Sequence, residues 1–297
     1  MINRTHLRQF LAVVDTGNFT RAANRIHVAQ PTLSAGISEL EKRLGAKLFT
    51  RSNRRVQLTE AGNRLLAHAR SIEREFQLAE QGITGIAAPR RPIKLGLLAS
   101  LPTEMIAHTV QAYHAPDPLE LMEGSERELA TALSAGRIDI ALTLLRPGDT
   151  RLTREHLFDE GYRLALSDRH PLAGRAEIDP AEVAGETMIA RRACEMLADT
   201  SRFFTERGVR PPFAMRTAND DRALAMVRAG LGITVTPESL AREGIILSRL
   251  TGFDGRREIG LVFGPHWTEH YGQDHALIAA IRSGIAVRTE SEAHRVD

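Results

Sequence analysis

Three sets of side chains in this sequence are of types and spacings that could do chemistry. The first is Gln30-Pro31-Thr32-Leu33-Ser34, followed by Ser38. At helical spacing the polar members fall opposite an apolar stripe of Leu33, Ile37, Leu40 and Leu44. A glutamine can read adenine through two hydrogen bonds, Ser and Thr contact several bases, and Pro31 offers an apolar surface to a thymine methyl. Arg51, Arg54 and Arg55 follow in a short basic turn and suit phosphates or a minor groove. Thr20 adds a hydroxyl at the head of the preceding short helix, where it is expected to act as the N-cap.

The second set is scattered. Ser100, Thr103, Thr143, Thr217, Asn219 and Thr234 fall at expected strand ends and helix starts, where backbone amides favour an anionic or polar ligand. Arg191, or Arg192 beside it, could pair a carboxylate. The same positions are common sites for hydroxyls that merely cap a helix or strand. The third set is Cys194 and the group His266, Glu269, His270, Asp274 and His275. One cysteine excludes an internal disulfide and any multi-cysteine metal site. Gly264, Pro265 and Gly272 oppose the helix that would align His266 with His270, so no metal is expected. Gly230-Leu231-Gly232 is too short for a dinucleotide fingerprint and precedes a strand rather than following one. With no phosphate-cradling loop and no nucleophile–base pair, neither catalysis nor a cofactor is expected.

These residues must be positioned by two or three domains, given 297 residues of which 42% are hydrophobic and 26% charged. No apolar run reaches the ~20 residues a membrane span needs. The opening residues lead straight into an amphipathic pattern without a signal peptide, so a soluble cytoplasmic protein is expected. Charge is distributed unevenly. Residues 1–58 carry ten basic and three acidic side chains, a charge of +7 that leaves −5 elsewhere in a chain totalling +2. A basic head on a mildly acidic body is the electrostatic footprint of a nucleic-acid-binding module with a separate regulatory part.

The head reads as three helices and a hairpin. Leu7, Phe10, Leu11 and Val14 line the first helix, and Gly17-Asn18 stops it. The third helix starts near Pro31, which suits an N-terminal turn, and ends at Gly45. Two short strands around Arg51–Arg55 make a wing. Leu65, Ala69, Ile72, Phe76 and Ala79 then repeat at alternating spacings of four and three, a heptad seam expected to pair with a second copy of the helix. Pro89 and Pro92 break this linker helix. Beyond them strands and helices alternate, which implies an α/β body of two lobes with a cleft at the carboxyl ends of the strands.

The head and linker resemble the LysR-type bacterial transcriptional regulators. The residues that carry the resemblance are Phe19-Thr20-Arg21-Ala22-Ala23, Gln30-Pro31-Thr32-Leu33-Ser34, Leu44-Gly45-Ala46-Lys47-Leu48-Phe49 and Val56-Gln57-Leu58-Thr59-Glu60-Ala61-Gly62. Leu119 to Gly124, Asp139-Ile140-Ala141 and Ala229-Gly230-Leu231-Gly232-Ile233 extend it more loosely. The resemblance implies a winged helix-turn-helix over 1–58, a dimerising linker helix over 59–89 and an effector-binding domain over 90–297. That domain would resemble periplasmic binding proteins, with lobe I at about 90–162 and 266–297 and lobe II at about 163–265. It also implies double-stranded promoter DNA, a small-molecule effector, further copies of the chain as homodimer or homotetramer, and RNA polymerase as partners. Ser100 stands where the family often supplies a hydroxyl to the effector. Cys194 stands near the peroxide-sensing cysteine of one branch, which uses a second cysteine absent here. Ala35-Gly36 departs from the polar or basic residue usual after Ser34. Two other readings remain open at this level: a helix-turn-helix head fused to an enzyme, and an architectural DNA binder without effector.

Overall fold

The computed structural model describes residues 2–52, 55–84, 91–148, 152–265, 267, 271–272 and 274–293. In the head, α1 (Arg4–Thr16) starts where the Asn3 side chain accepts the His6 amide and stops at Gly17, whose φ of +63° suits glycine. α2 (Phe19–Arg25) is capped by Asn18, which accepts the Arg21 amide at 3.0 Å. The expected Thr20 cap is thus corrected. Asn18 already satisfies the orphan amide, and Thr20 sits exposed in the first turn.

α3 (Gln30–Leu44) carries Pro31 in its first turn and buries Leu33, Ile37 and Leu40. The fourth member of the expected stripe is a correction: Leu44 is 37% exposed, and Glu41 is buried in its place. The Glu41 carboxylate accepts the Leu48 amide at 2.9 Å and the Lys47 ammonium at 2.6 Å, which fastens α3 to the wing. Burial pushes that carboxyl's pKa up, but these hydrogen bonds outweigh it and hold the group below its ordinary value. Gly36 has a packing reason. A Cβ there would lie 1.9 Å from Oε1 of Gln9, so glycine lets α1 and α3 close on each other. The wing strands β1 (Phe49–Ser52) and β2 (Arg55–Leu58) pair antiparallel, and Phe49 stacks against Phe10 at 5.3 Å.

α4 (Glu60–Thr84) begins where the Thr59 hydroxyl accepts the Gly62 amide at 3.0 Å. Leu66 and Ala69 are buried against the head, so Ala69 belongs to this chain's own core and is corrected as a seam residue. Leu65 is half-buried, whereas Ile72, Phe76 and Ala79 face outward. Arg70 donates to Asp15 of the head and to the Ala135 carbonyl of the body, tying the two together.

The body opens with β3 (Ile93–Leu98), α5 (Thr103–Ala112), β4 (Leu119–Gly124), α6 (Glu126–Ser134) and β5 (Ile140–Leu144). β3 runs parallel between β4 and β5. β6 (Arg154–Ser167) then leaves this lobe for the next, where the sequence pattern predicts a strand only from Tyr162. Lobe II adds β7 (Glu177–Ile178), β8 (Met188–Arg191), α7 (Leu197–Glu206), β9 (Phe213–Thr217), α8 (Asp220–Arg228), β10 (Thr234–Pro237) and β11 (Ile245–Leu250). The chain returns through β12 (Arg256–Phe263) and ends in α9 (Ala276–Ala293), which packs on α5. β12 pairs antiparallel with β5 and with the first part of β6, while β10 and β11 take the second part. Ile259, Leu261 and Phe263 join the first lobe's core with Leu95, Ile140 and Trp267. The expected extent of lobe II, 163–265, is therefore corrected: β12 belongs to lobe I, because its apolar residues are buried there. Lobe II has its own cores around Leu164, Val183 and Phe204, and around Ile189, Leu224 and Val227.

Candidate functional site

The outer face of α3 presents Gln30, Pro31, Thr32 and Ser38 to solvent. Gln30 Nε2 donates to Ser34 Oγ at 2.9 Å, which orients the amide along the helix. The face therefore keeps hydrogen-bonding groups available at the N-terminal end of a helix that is anchored by its other side. Arg51 lies on β1 and Arg55 on β2, while Arg54 lies outside the described residues.

The second site lies between the lobes. Ser100 follows β3 and is fully buried. Its hydroxyl donates to Glu195 Oε2 at 2.8 Å and accepts from Arg257 Nη1 at 2.8 Å. Arg257, on β12, also donates through Nε to Glu160 at 2.8 Å and through Nη1 to Glu195 Oε1 at 2.5 Å. The Tyr162 hydroxyl donates to Glu195 at 2.6 Å, and the Ser239 amide donates to Glu160 at 2.6 Å. One guanidinium thus sits between two buried carboxylates, and hydroxyls and an amide supply further donors. Burial pushes the Glu195 carboxyl up, but the Arg257 charge and the Tyr162 hydrogen bond hold it below its ordinary pKa. Burial pushes the Tyr162 phenol far up, so it remains a neutral donor.

A second tie crosses the cleft nearby. Thr103 Oγ1 donates to Asp221 Oδ2 at 2.7 Å, and Arg242 donates to Asp221 Oδ1 at 2.9 Å. Ser100 and Thr103 are thus brought to one cleft. Glu195, Arg257, Glu160, Tyr162 and Asp221 are missed by sequence reasoning because they come from separate segments with no shared local motif.

Of the other expected effector contacts, Arg191, Thr217, Asn219 and Thr234 are engaged within the protein. Arg191 is corrected: its Nε donates to Asp220 Oδ1 at 2.9 Å and its Nη2 to Oδ2, with the side chain fully enclosed. Burial disfavours its charge, but Asp220 and its neighbours more than restore it. Asn219 accepts the Arg222 amide at 2.7 Å as the cap of α8, and Thr217 accepts the Asn219 amide at 3.0 Å. Thr234 donates to the Ile189 carbonyl at 2.7 Å. The Thr143 hydroxyl is buried without a partner among the described residues and lines a cavity of about 130 Å³ in lobe I. Burial pushes the Cys194 thiol up, so it is a neutral group at pH 7. His266, Glu269 and His270 lie outside the described residues, and His275 packs edge-on against Trp267 at 5.3 Å.

Residues 5–63 match the bacterial regulatory helix-turn-helix protein of the lysR family, and residues 87–266 match the LysR substrate binding domain. The chain belongs to the LysR family. As a LysR-family protein it is a ligand-responsive, DNA-binding transcriptional regulator. It is 30% identical over 278 residues to the DNA-binding transcriptional dual regulator OxyR of Escherichia coli, with 89% of this chain and 90% of that protein covered. It is 32% identical over 272 residues to the probable hydrogen peroxide-inducible genes activator of Mycobacterium leprae, with 86% of each covered. A full-length OxyR variant from Pseudomonas aeruginosa shares the fold with a TM-score of 0.66 at 24% identity, over 95% of both chains. No described helix of this LysR-family protein is long and apolar enough to cross a membrane.

Proposed function

We propose that this regulator reads double-stranded promoter DNA as a cytoplasmic homodimer or homotetramer, and that a small anionic or polar effector in the inter-lobe cleft changes how the DNA is bound or bent. Residues 1–58 read DNA, with α3 toward base edges and the wing arginines toward phosphates. Residues 59–89 pair with a second copy through Ile72 and Phe76, and residues 90–297 sense the effector. RNA polymerase is the further partner at the promoter. The reading includes no catalysis, because the polar groups of the cleft are engaged with one another rather than disposed as a nucleophile and its base.

The observation that carries this reading is the pair of cross-cleft ties, Ser100–Glu195–Arg257 and Thr103–Asp221. Glu195 is an internal carboxylate held by a hydroxyl, a phenol and a guanidinium, the donors that an anionic effector would need. An anion competing for Ser100 and Arg257 would free Glu195 and with it the position of lobe II. A ligand acts only through its different affinity for the two arrangements, and displacement of a built-in carboxylate supplies that difference.

Peroxide sensing is not part of the reading. Cys194 is the one cysteine of this sequence and is buried as a neutral thiol, so no partner sulfur in the chain can trap an oxidised form. The test is footprinting of the full chain on its own promoter region with aromatic acids, aliphatic carboxylates, amino acids and phosphates. A ligand-dependent footprint that Glu195→Gln reproduces without ligand supports the reading. A ligand consumed to a new product points to the enzyme alternative instead.

A further inference from the structure

Lobe II holds a second space, open to solvent at one side, and none of the residues around it belongs to the cleft ties. It is a cavity of about 160 Å³ between α7 and the β8–β9 pair. Met188, Ile189, Leu197, Phe204, Val209 and Val235 form most of its wall. Cys194 adds a sulfur that behaves as a small apolar atom. Arg191 also borders the space, but its charge is consumed by Asp220. Protein interiors rarely leave a void larger than a water molecule. An apolar cavity of about 150 Å³ is known to stay dry and to take up a benzene ring. The space here is wider at one side, where Ser201, Thr205 and Arg210 are exposed, and its inner wall is mostly apolar.

Thr200, Ser201, Thr205 and Thr234 add hydroxyls to the wall, of which Thr205 and Thr234 donate to backbone carbonyls, and a second arginine, Arg210, stands at the rim. Arg210 is exposed, and its side chain makes no ion pair or hydrogen bond with any described residue. We infer that this cavity is a binding site for an apolar group of about one six-membered ring bearing a single carboxylate, with the ring enclosed and the carboxylate paired with Arg210. The ring gains by burial and the carboxylate by a charge-assisted hydrogen bond at the solvent edge. Occupancy has a structural consequence as well. α7 begins two residues after Glu195, so a ligand bracing α7 also braces one half of the cross-cleft tie.

The test uses the full chain with cyclohexanecarboxylate, its uncharged amide, and acetate as control. The readouts are the melting temperature and the rate at which iodoacetamide alkylates Cys194. Cyclohexanecarboxylate is expected to raise the melting temperature by about 2–4 °C when near-saturating and to slow alkylation about tenfold, whereas acetate does neither. Arg210→Ala, an exposed position that should leave folding intact, is expected to weaken the carboxylate about tenfold and leave the amide unchanged. Failure of both ring compounds to protect Cys194 overturns the inference. So does a melting shift without protection, which would put the probe in the inter-lobe cleft, or unchanged carboxylate binding in Arg210→Ala.

Discussion

Arg257 Nη1 lies 2.5 Å from Oε1 of Glu195, and the two residues come from the strand that returns to lobe I and the segment that opens α7 in lobe II. The same guanidinium reaches Glu160 at 2.8 Å, so its removal leaves two carboxylates enclosed with reduced compensation. Breaking a buried ion pair from one side costs about 3–5 kcal/mol, more than the intact pair contributes. Arg257→Ala should therefore lose stability on that order in urea unfolding. Glu195→Gln should lose less, because it leaves Arg257 paired with Glu160. Equal losses in the two variants would mean that the guanidinium is not shared in this way.

The same pair sets a pH dependence. The Glu195 carboxyl is held below its ordinary pKa, so its contribution to stability is present above the unfolded-state value of about 4.3. It is lost as pH falls through the lower folded-state value, because the unfolded chain then takes up the proton first. Glu195→Gln should therefore show a shallower loss of unfolding free energy below about pH 4.3 than the parent chain. Parallel curves would remove Glu195 from the cause.

Cys194 is expected to react slowly. Its thiol is buried and its pKa pushed up, and the thiolate is the reactive form. Alkylation at pH 8 should be at least about tenfold slower in the folded protein than in urea. Hydrogen peroxide at concentrations that leave methionines intact should leave the thiol count unchanged. Rapid modification of the folded chain would show a reactive thiolate.

The linker helix offers a test with an internal control. Ile72 and Phe76 are 40% and 44% exposed, whereas Ala69 is enclosed by the head. Replacing Ile72 and Phe76 by Glu should reduce dimerisation and DNA affinity together, seen by sedimentation and gel shift, while the head keeps its fold. Ala69→Glu should instead unfold the head, because it buries an unpaired charge. Unchanged dimerisation in the double variant would mean that another surface joins the copies.

On DNA, the two parts of the head should separate by salt. Gln30→Ala should cost about 1–3 kcal/mol on the preferred sequence and little on unrelated DNA. Arg54→Ala should weaken both about equally and lower the salt slope by about one. A uniform loss in Gln30→Ala would assign that residue to phosphate.

Much of the head was legible because its signals are local. Gly17 and Gly45 stop helices, Pro31 starts one, and Leu33, Ile37 and Leu40 recur at helical spacing. The misreadings are instructive for the same reason. Leu44 continues the spacing but falls beyond the core, and Glu41 takes the buried place because the wing's amides are there to receive it. Ala69 fits a heptad seam, yet a small residue at that spacing serves equally well where a helix lies close against its own chain. The sequence pattern predicts β6 only in its second part, because a strand shared by two lobes carries no single alternation, and it does not predict β11.

Sequence alone therefore determined the order of the modules and the helices of the head, which rest on periodicity and on residues within one turn of each other, and its local motifs carried the resemblance to the LysR family. Tertiary structure decided the cleft and the apolar cavity. Ser100 and Arg257 are 157 positions apart, and nothing in either segment announces the other. Arg191 shows the same limit from the opposite side. Its type and place fit a ligand contact, but the fold brings Asp220 against it, and a guanidinium enclosed with a carboxylate is no longer available to anything else.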